Sequence, residues 1–531
     1  MAIASVNGTL YTIMHKTGGL YTIDKDDGSL IYIADTNLDP SWPVSMAYDE
    51  VADALYIYSD FAGWSSSYLC RVDYKTGAID ALIELENDFH GLLVMPLTNE
   101  HVNVNGVSIP SSLSMGLYEE SSLSAQIMPE NATDRRIIWT TSDDHIVSVD
   151  IYGNIKATGT GTATVTATSH DGGFNANCTV TVTGEFENLE YDGAVYGYVT
   201  TAADTVRPRQ TGLFRFDLDN NTVVNVESDI DVEHVSAAAF NYEDGFVYGF
   251  TRDGGFFRAT ADGKLLNYYF NGYLEVISLT YDCSTHSLYV LTVGYDDTEG
   301  IYKVDMRTGK LELIGKLDFT ESNSVLVYTM AADNKGRLIG INGKGDLYEI
   351  DKNNAGMTLL HSNAGQFSRV EYAQGLCFDP IADCFYWGFY GILPYGDYNL
   401  ETAIYRIDAQ TYELERVASK TGLIRGIYTV MGDSDIVPVE GIGFAEDEIN
   451  LMQYGVHNLE AEFLPANSTN RAVFYESSDE SVATVDANGR VVAMGLGTAT
   501  ITATTADGGF TASIKVNVSE YTWRPDGLLH G

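Results

Sequence analysis

Residues 276–317 read VISLTYDCSTHSLYVLTVGYDDTEGIYKVDMRTGKLELIGKL. Short apolar runs alternate on a period of two and are bounded by Asp, Gly, Ser or Thr, the pattern of half-buried strands. The stretch falls into four pieces. Strand a is small and apolar, strand b carries an aromatic (SLYVLT, 287–292), strand c runs into Asp305, and strand d follows Gly309. An Asp at a turn start bonds the backbone two residues on and Gly supplies positive φ, so this sequence predicts a hairpin between c and d.

The unit recurs seven times. Its b strands are expected at 8–14, 54–59, 194–199, 246–251, 287–292, 337–342 and 384–389, and its c–d turns at Asp24, Asp73, Asp217, Ala259, Asp305, Asp351 and Asp408. Turns 217, 259, 305 and 351 are 42, 46 and 46 residues apart. Four-stranded units of about 40 to 50 residues are propeller blades. The step from 73 to 217 is 144 residues, a normal repeat once an inserted module of roughly 90 residues is removed. Residues 424–430 (IRGIYTV) read as an a strand with no b, c and d after it, and 8–33 as b, c and d with no a before them. The expectation is that they share one blade, 424–430 pairing with 8–14, which leaves no open edge. The other blades are 44–85, 91–97 with 186–226, 235–270, 276–317, 326–362 and 373–419.

A second repeat interrupts the first. Residues 125–184 and 461–520 align without a gap at an offset of 336, with 26 of 60 positions identical. Each copy alternates on a period of two with turn residues between the runs, which predicts a small β-sandwich. The first enters after 91–97 and the second after 424–430, so both are expected on the a–b loop side, with the b–c loops on the opposite side. The expected fold is all-β: a seven-bladed β-propeller with one inserted and one C-terminal Ig-like sandwich. The expected domains are 1–100 and 186–432 for the propeller, 101–185 and 433–520 for the sandwiches, and 521–531 as a tail. The linker around 184–193 is short and charged, so limited flexibility is expected there.

Composition narrows the function classes. The 531 residues carry 30 Lys plus Arg against 74 Asp plus Glu, a formal net charge of −44. That balance argues against nucleic acid, whose phosphates require clustered basic residues, and against an anionic membrane. Hydrophobic residues make up 45%, so this is not a disordered acidic chain. Only 5 Cys are present, too few for a disulfide scaffold. Cys377 and Cys384 flank a turn and are a candidate pair if the protein is exported, against a reading as buried free thiols. There is no run of 18 apolar residues, and MAIASVNGTLY lacks the basic and apolar regions of a leader.

The segments TSDDHIVSVDIYGNIKATGTGTATVTAT and SSDESVATVDANGRVVAMGLGTATITAT strongly resemble the bacterial Ig-like domain of group 2. The resemblance covers about 102–185 and 438–520. It implies a bacterial or phage surface protein in which such domains are stalks or spacers, and it brings no catalytic residue. The first copy departs at Ile151 and Tyr152, where the second has Ala487 and Asn488, so its turn before Gly153 is less ideal. The remaining chain more loosely resembles propellers of the YVTN or quinoprotein kind, a fold that fixes no function.

The long b–c loops are the main functional candidates. Trp64, Arg207, Arg209, Tyr295, Tyr395 and Tyr398 are expected to form an aromatic and polar ledge suited to a sugar or peptide, against a reading as strand caps. Asp24, Asp26 and Asp27, and Asp296, Asp297 and Glu299, are closely spaced carboxylates that suit Ca²⁺. Neither run matches the twelve-residue calcium loop, and the first is also one of the hairpin turns. No other cofactor is expected. The ten His show no zinc spacing, and there is no nucleophile elbow or P-loop. The expected function is a non-enzymatic extracellular surface or adhesion protein, monomeric, whose propeller binds a glycan or a cell-surface protein and whose sandwiches are spacers; its leader and anchor are not in this chain. The alternatives are a polysaccharide lyase or hydrolase acting at a channel mouth, and a purely structural spacer.

Overall fold

The computed structural model describes residues 2–14, 18–25, 28–36, 38, 45–50, 52–60, 67–85, 92, 102–186, 189–200, 211–231, 234–272, 275–293, 299–317, 327–371, 374–394, 400–419 and 421–520. These are almost entirely β-strand and connecting turns, with a short 3-10 turn at Asp433–Asp435. Outside the two sandwich modules, the described strands form seven antiparallel sheets. Sheet I is Ala2–Val6, Thr9–Ile13, Gly19–Ile23 and Leu30–Asp35. Sheet II is Ser45–Asp49, Ala54–Asp60, Ser67–Val72 and Ile79–Leu85. Sheet III orders Leu423–Thr429, Val195–Thr200, Gly212–Asp217 and Thr222–Val226. Sheet IV is Val235–Asn241, Phe246–Thr251, Gly255–Thr260 and Leu265–Phe270; sheet V is Glu275–Asp282, Ser287–Val293, Gly300–Val304 and Leu311–Gly315. Sheet VI is Val327–Ala332, Leu338–Asn342, Leu347–Ile350 and Met357–His361. Sheet VII is Gly375–Asp379, Cys384–Ile392, Glu401–Asp408 and Leu414–Ser419, with Arg369–Val370 on the same edge. A closed ring of all seven sheets is not resolved among the described residues.

The chain divides into two compact units. The first is residues 1–187 with 255–257 and 266–272. In it the first strands of sheets I and II pack on each other around Val6, Ile13, Leu20, Leu55, Ile57 and Cys70. Each fully buried aliphatic side chain contributes about 1.5–3 kcal/mol, so these small sheets are held together by their shared face rather than by their hydrogen bonds.

The second unit is 188–254, 258–265 and 273–531. Its first strands lie side by side in the order 423–429, 235–241, 275–282, 327–332 and 375–379, and 375–379 also packs on 423–429. The approach of these backbones requires glycine. A Cβ on Gly426 would sit 2.8 Å from the Ala238 nitrogen, and one on Gly375 would sit 3.0 Å from the Ile427 nitrogen.

The c–d hairpins follow one pattern. At Asp73, Asp305, Asp351 and Asp408 the aspartate N–H donates to the carbonyl five residues on, and the fourth residue donates back to the aspartate carbonyl. The carboxylate caps the turn: Asp305 Oδ1 accepts from Arg307 N at 2.9 Å, and Asp351 Oδ1 from Asn353 N at 2.8 Å. The fourth position takes positive φ whether or not it is glycine, at +73° in Gly309 and +59° in both Ala355 and Tyr412. At the expected Ala259 the turn begins one residue later, where Gly263 N donates to Thr260 O over a shorter loop.

One expected strand pairing is corrected. Residues 423–429 pair with 195–200, Tyr196 opposite Tyr428, and 424–430 do not pair with 8–14. The reason lies at the start of the chain. Ala2–Val6 is itself a strand, Ile3 opposite Thr12, joined by a two-residue turn in which Asn7 (φ 52°) and Gly8 (φ 85°) are both left-handed. That is the Asn-Gly hairpin geometry, and it satisfies the edge of 9–13 locally. The expected a strand at 91–97 lies outside the described residues except Leu92, whose N–H donates to Ser45 Oγ at 2.8 Å.

Each sandwich module is built the same way. In the first, Ser112–Gly116, Asn175–Thr183, Gly161–Ser169 and Ile137–Thr141 form one sheet, with Ser112–Gly116 parallel to its neighbour. Glu120–Ser122, Asn154–Ala157 and Val147–Val149 form a smaller one. Their core is Val147, Ile155, Val165, Cys178 and Val180. The second module repeats this order with Ile449, Val491, Ile501, Ile514 and Val516 inside.

Candidate functional site

In these antiparallel sheets the a–b and c–d turns lie at one end and the b–c loop at the other. The six ledge residues Trp64, Arg207, Arg209, Tyr295, Tyr395 and Tyr398 fall outside the described residues, as do Asp26, Asp27, Asp296 and Asp297. The described strands fix only where those loops begin and end, on sheets II, III, V and VII. Asp24 is exposed in a c–d turn and accepts from Gly28 N through its carbonyl at 2.9 Å. Glu299 is half-buried ahead of Gly300–Val304. Among the described residues no group of three or more His, Cys, Asp or Glu is placed to hold a metal ion.

What the described residues do build is at the a–b end of the second unit. A cavity of about 50 Å³ is lined by Tyr242, Cys283, Asp333, Asn334, Phe378 and Met431, among others. That volume holds a few waters and no sugar ring. Asn334 is 3% exposed and its side-chain nitrogen has no partner, so it is suited to bonding water there. Burial pushes the Cys283 thiol up, and the Cys377 thiol well up, away from the thiolate that nucleophilic chemistry needs. Cys377 and Cys384 are free thiols, opposite Tyr386 and Asp379 respectively rather than each other.

Three inner strands end at this end in an aspartate, Asp282, Asp333 and Asp379, and each carboxylate is occupied by its own turn. Asp282 takes Ser284 N at 3.0 Å and Lys352 Nζ at 2.7 Å. Asp333 takes Lys335 N at 3.0 Å and Arg337 Nε at 2.8 Å. Asp379 takes Ile381 and Ala382 N, both at 2.9 Å, and the Tyr191 hydroxyl at 2.9 Å. Burial nevertheless raises the Asp379 carboxyl. The sequence reading followed the c–d turns and missed these; the signal was the aspartate that closes YDCST, ADNKG and FDPIAD.

Both modules seat on a–b and c–d turns, each within its own unit, and through equivalent loops. In the second unit Asn470 Nδ2 donates to Cys283 O at 3.0 Å and Arg471 N to Asn334 O at 2.7 Å. Arg471 Nη2 pairs with Asp383 at 3.0 Å, and Asn488 reaches Glu349 at 2.8 Å. In the first unit the residue aligned with Asn488 is Tyr152. Its hydroxyl donates to Tyr74 O at 2.7 Å and lies 3.1 Å from the Tyr11 hydroxyl. The departure from the turn consensus at Tyr152 is therefore a docking contact. Asp134, aligned with Asn470, is 8% exposed, and burial alone would raise its carboxyl; bonds from Arg136 and His170 outweigh that and leave it at about 2. Within the 184–193 linker, Tyr191 N donates to Asp435 at 2.7 Å.

Comparison with known proteins bears on the modules. The bacterial Ig-like domain (group 2) matches residues 110–180 and 439–516. The chain carries two such domains. The matches lie inside the ranges expected from the duplication. An α-L-arabinofuranosidase of Bifidobacterium longum subsp. longum is 40% identical over 82 residues, 15% of this chain and 8% of the enzyme. A lacto-N-biosidase of Bifidobacterium bifidum is 40% identical over 84 residues, 16% of this chain and 7% of the enzyme. The chain thus spans under a tenth of these relatives. The extracellular domain of a putative hybrid two-component system from B. thetaiotaomicron aligns over 98% of this chain and 86% of its own, at 11% identity and TM-score 0.24. An auxiliary nutrient binding protein from Bacteroides thetaiotaomicron aligns over 75% and 87%, at 13% identity and TM-score 0.25. Scores this low carry no argument. No helix among the described residues is long and apolar enough to cross a membrane, which says nothing of a β-barrel.

Proposed function

We propose that this chain is a non-enzymatic bacterial surface protein whose four-stranded sheets are propeller blades. Their b–c loops carry the contacts for a glycan or a protein ligand: Trp64 in the first unit, and Arg207, Arg209, Tyr295, Tyr395 and Tyr398 in the second. The observation that carries the reading is the docking of both Ig-like modules at a–b and c–d turns of the described sheets. The modules then act as buttresses that hold sheets, a stiffer role than a hanging spacer. The stretches of 82 and 84 residues that match the two glycosidases support an extracellular, carbohydrate-rich setting. Flat aromatic faces with a few fixed donors are what sugar stacking requires.

A glycan array on the whole chain tests this, with Trp64→Ala, Tyr395→Ala and Tyr398→Ala combined in a parallel sample. Binding lost by the triple variant, with thermal unfolding unchanged, supports these contacts. No binding on glycans or on host-surface proteins, or binding that the triple variant retains, overturns it.

A further inference from the structure

The two modules differ at the end away from their docked loops. In the second, the loop 452–456 lies against 493–494 and the end of the last strand. Tyr454 N donates to Ala493 O at 2.8 Å, and Gln453 N to Ser519 O at 3.0 Å. Five apolar side chains are exposed there: Met452 (53%), Tyr454 (72%), Val456 (47%), Met494 (44%) and Leu496 (52%). Bare apolar side chains in such a group mark a surface that something covers.

The first module has the same backbone. Tyr118 N donates to Ala157 O at 3.1 Å and Leu117 N to Thr183 O at 2.9 Å. Four of the five apolar positions are there Gly116, Glu120, Thr158 and Thr160. The fifth is kept as Tyr118, left-handed at φ 69° as Tyr454 is at 68°. Tyr118 is covered. The chain leaving the last strand places Phe186 edge-on against it, ring centroids 6.0 Å apart at 77°. The covering residue is thus supplied by the segment that follows the module, three residues past Thr183.

We infer that the apolar end of the second module is the docking surface for the segment that follows it, residues 521–531, with Trp523 covering Tyr454 as Phe186 covers Tyr118. That segment, YTWRPDGLLHG, lies outside the described residues and starts beside the patch, because Ser519 O holds Gln453 N. Position 522 aligns with Phe186 and is flanked by Tyr521 and Trp523. From Ser519 to Trp523 an extended chain reaches roughly 13 Å, enough to cross a patch two strands wide. The larger apolar area matches a larger aromatic. This goes beyond the binding reading above and does not depend on it.

The test uses the whole chain with its five Trp replaced by 5-fluorotryptophan. The Trp523 fluorine resonance is assigned by its loss in Trp523→Phe. Docking predicts a Trp523 resonance displaced from its position in denatured protein. Tyr454→Ser, which removes the ring that Trp523 would cover, with Met494→Thr, which introduces the residue of the first module, moves it to the denatured position while the Trp139 and Trp387 resonances stay in place. A Trp523 resonance at the denatured position in the parent chain, or one unmoved by the double variant, overturns the inference. So does a displacement that fades on dilution, which makes the occupant a second copy of the chain. If the double variant disturbs Trp139 or Trp387, Tyr454→Phe and Met494→Leu serve as conservative replacements, and docking then predicts a smaller shift confined to Trp523.

Discussion

Replacing Tyr428 probes the strand that returns from the far end of the repeat to close sheet III. Tyr428 is 1% exposed. Its ring stacks on Tyr196 with centroids 5.6 Å apart and planes 11° apart, and lies 6.3 Å from Phe240; its hydroxyl donates to Ala261 O at 3.2 Å. Truncating a buried aromatic to Ala costs about 3–5 kcal/mol through lost transfer energy and the cavity left behind, and the orphaned carbonyl adds about 1. Tyr428→Ala is therefore expected to destabilise by about 4–6 kcal/mol, and Tyr428→Phe by about 1. The readout is native-state hydrogen exchange of amides 195–199, because a chain with several domains has no single unfolding free energy. A double-mutant cycle with Tyr196→Ala isolates the stack, with a coupling of about 1 kcal/mol. Protection of 195–199 changed by less than 1 kcal/mol in Tyr428→Ala, or a coupling near zero, would refute the pairing.

Other outcomes follow from the turns, the buried carboxylates and the docked module. Gly309→Ala forces an L residue into φ +73° and should cost about 1–2 kcal/mol in native-state hydrogen exchange of amides 301–304. Ala355→Gly, at φ +59°, relieves strain but gives up a buried methyl and should be close to neutral; equal losses in the two would refute the turn account. Asp134 sits at about 2, below its unfolded value near 3.9, so its contribution is full above about pH 4 and is lost as pH falls toward 2. Asp134→Asn should then be more harmful at pH 6 than at pH 2, and a constant difference would contradict this. Asp379 is raised by burial, so it has the opposite sign. Its contribution falls as pH climbs from about 4 through the folded value, and Asp379→Asn should remove that slope from urea titrations. Asn470→Ala, losing a buried bond to Cys283 O, should loosen the second module more than Arg471→Ala, whose ion pair is partly exposed and contributes under about 1 kcal/mol. Faster proteolysis at 433–440 in the second variant than in the first would reverse that ranking.

The seven sheets and both sandwiches were legible because each rests on local signals: Asp and Gly at fixed offsets, alternation of period two, and a duplication aligned without a gap. Cys178, on the same alternation in NANCTVTV, is fully buried. The partner of 423–429 was not legible. Any b strand with a free edge would accept it, and the edge of 9–13 is taken by MAIASV through an Asn-Gly turn that sits too near the start of the chain to read as a repeat. The docking role of Tyr152 was hidden because a residue poor for its own turn was good for a neighbouring surface. The aspartates of the a–b turns were overlooked because their carboxylates serve the turns that follow them and form no recognisable ligand spacing. The ledge residues belong to loops whose sequence records residue types but no geometry.

The pairing of the late strand with the middle of the chain is tested most directly by cross-linking. Val195 lies opposite Thr429. In Val195→Cys with Thr429→Cys, mild oxidation should give one intrachain disulfide, seen by mass spectrometry as a linked peptide from both regions. In Thr9→Cys with Thr429→Cys none should form. A link in the second variant and none in the first would contradict the account.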